Sequence, residues 1–293
     1  KSNKILFTGK KFVMGAVASA LLATSGIAAE YTLKFSHVVS PNTPKGKAAD
    51  FFEKRLEELS GGRIDVQVYP SSQLYNDSDA LKALKLNSVQ MAAPSFSKFG
   101  KLVPQLAIFD LPFLFNDIDH LHRVQDGEVG EKLKDMVTAK GFVALDFWDN
   151  AFKQLSTSRE TPLLTPADAQ GQKFRIMSSK VLEAQFHSIG ANPQMMPFSE
   201  VYSGLQQGVI DGQENPYTNI SAAKLNEVQK YLSVTGHVYS PAYPTMGKAT
   251  YDKLDPAVRD VLVKTARDVA LWARDQGAAD DQRLENELVE KGM

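Results

Sequence analysis

Apolar residues alternate with polar ones from the first part of the chain. Tyr31, Leu33 and Phe35 share one face, so residues 31–37 read as a strand with one side buried. Pro41-Asn42-Thr43-Pro44 then signals a helix start, with Pro44 suited to the first turn. Ala48, Phe52, Leu56 and Leu59 recur at helical spacing until Gly61-Gly62 stops them, and Ile64, Val66 and Val68 alternate again. Strand, helix, strand in this order predicts a βαβ unit with a right-handed crossover. Residues 77–87 read as a second amphipathic helix on Leu81 and Leu84, and residues 89–93 as a short buried strand.

The apolar run Phe109-Asp-Leu-Pro-Phe-Leu-Phe115 reads as a packed connector, because aromatic runs are usually core. Residues 118–139 form one helical pattern weakened by Gly127 and Gly130, and residues 142–156 one long strand that can leave one lobe and enter the next. Pro162, Pro166 and Gly171 mark the connector that follows.

The densest information lies in residues 172–219. Phe174 and Ile176 point one way on a short strand and Arg175 the other, and a cation between apolar neighbours is costly to bury unless an anion meets it. Ser178-Ser179 caps a helix carrying Val181, Leu182, Phe186 and Ile189, closed by Gly190. Ser199 opens another, with Val201, Tyr202 and Leu205 inward and Gly208 at its end. Asp211-Gly212 turns the chain into Gln213-Glu214-Asn215-Pro216, where the proline holds Asn215 extended. One guanidinium and one rigidly held amide suit a site that grips a carboxylate.

Beyond, residues 222–231 read as helix, 232–239 as strand and 241–248 as loop. Asp255-Pro256 caps a long helix on Val258, Val261, Leu262, Ala266, Val269 and Trp272, continuing through Leu284 and Leu288 with a register change near Gly277. So long a stripe can brace two lobes. Strands alternating with helices over 293 residues predict an α/β protein of two lobes, each a mostly parallel sheet flanked by helices.

Composition narrows the function. The chain is 43% apolar and 23% charged with Lys and Arg nearly balancing the acids, so it has no basic footprint for nucleic acid. It has no cysteine, which excludes disulfides, thiolate nucleophiles and thiolate metal sites. Lys1, Lys4, Lys10 and Lys11 precede an alanine-rich apolar run and the small residues 25–29, the pattern of a Sec-type signal peptide spanning residues 1–29 and cut after Ala28 or Ala29. The run is short of the roughly 20 residues a bilayer needs. Its removal leaves 29 basic against 34 acidic residues, so binding an anion requires local cations rather than the overall field. The sequence stops at Met293 without a natural ending, which suggests a missing C-terminal tail.

The chain carries no nucleophile elbow, phosphate-binding loop or HExxH pair, so no enzymatic activity, cofactor or metal is expected. His120 and His122, two apart on a helix, face away from each other and are expected at the surface. Open α/β sheets bind ligands beyond the carboxyl ends of their strands. Those ends, with the crossing strand, would bring together Ser36-His37, Ser95, Trp148, Asn150, Lys153, Arg175 and Asn215.

The run PFSEVYSGLQQGVIDGQENP, preceded by QGQKFRI, strongly resembles the solute receptors of tripartite ATP-independent periplasmic (TRAP) transporters, in their C4-dicarboxylate branch. The resemblance extends over nearly the whole chain from Tyr31. It implies the two-lobed periplasmic binding protein fold, with residues 30–150 and 241–280 in one lobe and residues 151–240 and 281–293 in the other. It implies that Arg175 clamps a ligand carboxylate, that Asn215 donates to the same group and that Phe198 lines the cleft. Lys153-Gln154 stands where sialic-acid receptors carry an arginine, as in dicarboxylate-type members, and with the FSHVV…NTPKG run this makes Lys153, His37 and Lys45 the candidates for a second carboxylate. The function implied is a monomeric periplasmic receptor that hands succinate, fumarate or malate to the integral membrane subunits of a transporter. Other readings keep the fold but bind a 2-oxo or aromatic acid, or deliver ligand as a sensor subunit; an exported hydrolase is the rival from another class.

Overall fold

The computed structural model describes residues 28–293; the expected signal segment lies outside them except for its last two positions. Strand β1 (Tyr31–Ser36), helix α1 (Pro44–Leu59) and strand β2 (Ile64–Tyr69) form the βαβ unit, with β1 and β2 parallel. Thr43 caps α1 by accepting the Gly46 N–H, and Asn76 caps α2 (Asp77–Lys85) by accepting that of Asp79. Strand β3 (Met91–Ala92) joins the other edge of β1, also parallel.

The helix expected over residues 118–139 is two, α3 (Ile118–Gln125) and α4 (Glu128–Thr138). Gly130 explains the break. A Cβ there would sit 1.8 Å from the Gln125 carbonyl oxygen, so the tight join needs glycine. The long strand expected over residues 142–156 is also two, β4 (Phe142–Ala144) and β5 (Trp148–Thr157). Asp146 interrupts it by accepting the N–H of Phe147, the next residue.

Strand β6 (Lys173–Ile176), helix α5 (Lys180–Ser188), strand β7 (Asn192–Met195), helix α6 (Val201–Gln206), strand β8 (Gly212–Asn215) and helix α7 (Tyr217–Ala222) follow. Residues 222–231 are not the expected helix. Lys224 adopts a left-handed conformation (φ 55°) that ends α7, and strand β9 (Tyr231–Ala242) begins instead. The expected loop over 241–248 contains strand β10 (Thr245–Gly247), inserted antiparallel between β3 and β4. A short helix α8 (Lys248–Tyr251) leads to α9 (Pro256–Glu290), which runs without interruption for 35 residues.

Two five-stranded sheets result, β2-β1-β3-β10-β4 and β7-β6-β8-β5-β9. The pairings leave one strand reversed in each, β10 in the first and β5 in the second; the other four run the same way. The chain therefore has the two-lobed, mostly parallel α/β architecture that its periodicity predicts. Helix α9 serves both cores. Val258, Leu262 and Ala266 pack with Phe35, Phe52 and Leu56, whereas Leu284 and Leu288 pack with Val201, Leu205 and Ile220.

Strands β5 and β9 run side by side between the two halves. Trp148 and Tyr239 sit in cores of the first sheet, while Leu155 and Leu232 pack against those of the second. Their ladder is bulged between Asp149 and Phe152, where Ala151 takes φ 78°, a conformation costly for a residue with a Cβ. The connector at 109–115 is only partly packed: Phe109 is buried, but Phe113 is 72% exposed.

Candidate functional site

The carboxyl ends of the parallel strands from both sheets meet around one cavity of about 170 Å³. The first sheet brings Val38 and Val39 after β1 and Ser95 and Lys98 after β3, with Lys45 from α1 and Asp77 from α2. The second brings Arg175 and Met177 from β6, Met196 and Phe198 after β7, and Glu214 and Asn215 from β8; Lys153 comes from the crossing strand β5. This is where ligands bind in open α/β sheets.

Arg175 is 2% exposed. Phe174 and Ile176 lock it in place by entering the core on the other side of β6. Its Nε donates to the Met196 carbonyl at 2.9 Å, and its Cζ lies 5.9 Å from the centre of the Phe198 ring. No carboxylate among the described residues pairs with the guanidinium, so its terminal N–H groups remain for a ligand. Burial pulls its pKa down to about 10, opposed by Glu214 and Asp77, so it stays charged at neutral pH.

Asn215 ends β8, and Pro216 opens α7. Its Nδ2 donates to Gln213 Oε1 at 2.5 Å, and its Oδ1 accepts from Asn219 Nδ2 at 3.2 Å. Gln213 in turn donates to Ser156, and Ser156 to Gln229. This buried chain fixes the amide beside the cavity and leaves its second N–H without a partner among the described residues. Gly212 is required for the strand that carries it: a Cβ there would lie 2.5 Å from both the Phe174 ring and the Ser156 carbonyl oxygen.

The remaining expected residues divide. Ser95, Phe198, Lys153 and Lys45 line the cavity. Lys153, however, is paired: its Nζ lies 2.7 Å from Glu214 Oε1, and His237 holds the other carboxylate oxygen at 3.0 Å. Lys45 is fully enclosed and donates to the Ala93 carbonyl, and burial lowers its pKa against the pull of Asp77.

His37 and Trp148 do not reach the cavity. Burial, with Lys45 nearby, depresses the His37 imidazole to about 3, so it is neutral and cannot serve as a cation. Trp148 packs against Phe35 and Phe52 in the core of the first sheet, at ring separations of 5.8 and 6.0 Å. A large aromatic at the start of a crossing strand reaches inward before the strand reaches the cleft. His122 is likewise not a surface histidine; it lies 2.5 Å from Asp149.

Lys98 and Asp77 are two charged cavity residues, among others, that sequence reasoning missed. A lysine between two phenylalanines reads as loop surface, yet those phenylalanines are the signal. Phe96 and Phe99 are buried, so the one-turn helix between them is held with Lys98 against the cavity. The titratable groups around the cavity then sum simply. Lys45, Lys98, Lys153 and Arg175 face Asp77 and Glu214, while Asp79 is matched by Lys82 outside. Two positive charges are left uncompensated. Among the described residues no group of three or more His, Asp or Glu is placed to hold a metal ion, and no helix is long and apolar enough to cross a membrane.

The sequence model of the bacterial extracellular solute-binding proteins, family 7, matches residues 35–293. The chain belongs to this family. It is 45% identical over 282 residues to the C4-dicarboxylate-binding periplasmic protein DctP of Rhodobacter capsulatus, covering 96% of this chain and 84% of that one. Among solved structures it is similar to a TRAP periplasmic solute binding protein of Sulfurospirillum deleyianum with bound succinate, at 53% identity and a TM-score of 0.86 over 89% of this chain and 84% of that one. It is also similar to one from a Polaromonas species bound to D-erythronate, at 34% identity and a TM-score of 0.87 over 90% and 86%. The protein is thus a TRAP-type solute-binding protein.

Proposed function

We propose that the receptor binds a C4-dicarboxylate such as succinate, fumarate or malate and delivers it to the integral membrane subunits of a TRAP transporter. The observation that carries this reading is the pair of uncompensated positive charges around a small cavity, which a dianion neutralises and a monoanion does not. The cavity is well below the roughly 300–1,000 Å³ that houses drug-sized ligands. Succinate in the Sulfurospirillum relative and the naming of the Rhodobacter relative support the same ligand class. In this reading Arg175 meets one carboxylate with its planar fork, Asn215 donates to the same group and Phe198 covers it. The periplasmic relatives and the basic, then apolar N-terminal pattern support export to the periplasm.

The Polaromonas relative favours a second reading, a sugar-acid receptor in which hydroxyl groups replace the far carboxylate. Calorimetry with succinate, fumarate, malate, D-erythronate and butyrate separates the two. The dicarboxylates are expected to bind at least about tenfold more tightly than the monoacids, a gap of about 1.4 kcal/mol. Equal affinity for succinate and butyrate would rule out the dicarboxylate reading.

A further inference from the structure

Resting on the dicarboxylate reading, we propose that Lys98 is the residue that reads the far carboxylate of the ligand and so sets the preference for diacids over monoacids. Four cations line the cavity, and three are already engaged or committed. Arg175 is anchored by Met196 for the near carboxylate, Lys153 is paired with Glu214, and Lys45 donates to the Ala93 carbonyl from a fully enclosed position. Lys98 has neither an acid within ion-pair distance nor a hydrogen bond from its ammonium among the described residues, and it faces the cavity half-buried.

Its backbone is well placed for the task. Phe96 and Phe99 are enclosed on either side, and the Phe96 ring lies 4.1 Å from that of Tyr243, so the turn has little freedom. Lys98 follows β3 of the first sheet, whereas Arg175 lies on β6 of the second, so the two cations stand on walls from different sheets. A diacid held between them joins those walls; a monoacid of equal length leaves the Lys98 ammonium desolvated without a partner. The electrostatic surroundings agree: burial lowers the pKa of Lys98, Arg175, Lys153 and Lys45 lower it further, and only Asp77 opposes them. An arriving carboxylate relieves that repulsion.

The test is calorimetry of wild type, Lys98→Met, Lys98→Gln and Lys98→Arg with succinate and butyrate, with thermal unfolding to verify that each variant is folded. Lys98→Met is expected to weaken succinate about 100-fold and to leave butyrate nearly unchanged, bringing the two acids within a few-fold of each other. Lys98→Arg is expected to keep most of the preference, because a cation remains. If wild type prefers succinate and folded Lys98→Met and Lys98→Gln prefer it equally, the assignment to Lys98 is wrong while the dicarboxylate reading stands. If wild type itself shows no preference, both fail.

Discussion

Lys153 Nζ lies 2.7 Å from Glu214 Oε1, and both side chains are almost wholly enclosed. Burial works to raise the Glu214 carboxyl, but Lys153 and His237 outweigh it and hold it down at about 2. The pair thus enters the cleft already neutralised, and Lys153 acts as part of the wall rather than as a free charge for the ligand.

Glu214→Gln is expected to destabilise the ligand-free receptor by about 3–5 kcal/mol at neutral pH, because it leaves a buried ammonium without its anion. Glu214 has a depressed pKa, so its contribution is present above the ordinary value of 4.5 and is lost as pH falls towards about 2. Denaturant unfolding at several pH values measures this. The gap between variant and wild type should narrow across that acid window, and an unchanged midpoint at pH 7 would mean the pair is not stabilising.

Arg175→Lys is expected to damage succinate binding almost as much as Arg175→Ala, by about 2–5 kcal/mol. Lysine keeps the charge but loses the planar fork, and its point charge cannot both reach the Met196 carbonyl and span a carboxylate. Calorimetry decides; wild-type affinity in Arg175→Lys would make Arg175 a general cation and not a clamp.

Succinate is expected to draw the two halves together about β5 and β9, near residues 150 and 240. Closure requires contacts that differ between states, and Arg175 on one sheet with Lys98 on the other supplies them. The bulge at Ala151 gives the crossing strand a place to bend. Small-angle scattering with and without saturating succinate should show a smaller radius of gyration in its presence; identical curves would argue against closure.

Asp281 on α9 has its carboxyl raised to about 6 by burial, with Asp280 and Glu285 adding repulsion. A raised acid penalises the folded state above its unfolded value, so this penalty grows as pH rises from 3.8 and is complete above about 6. Asp281→Asn should therefore be more stable than wild type at pH 8, by about 1–2 kcal/mol, and no more stable below pH 3.8. Thermal unfolding at the two pH values checks it, and a gain of equal size at both would assign the effect to something other than ionisation.

The chain by itself determined its elements wherever burial is local and periodic. Alternation at Tyr31, Leu33 and Phe35, and the stripe from Val258 to Leu288, encode β1 and α9 because each side chain's face follows from its position in the repeat. The cation at Arg175 between two core residues was legible for the same reason. Breaks were less so: the division between α3 and α4 depends on how closely Gly130 approaches Gln125, which no periodicity records. What only tertiary structure decided was the state of each charge. Lys153 and Glu214 are 61 residues apart in sequence, and their pairing removes one of the lysines that read as ligand contacts. His37 becomes neutral and Trp148 becomes core because of what encloses them, whereas Lys98 stays unpaired because no acid among the described residues comes within ion-pair distance and Asp77 acts on it only from farther off. Desolvation and ion pairing depend on distances across the fold, and those exist only after the two sheets have met.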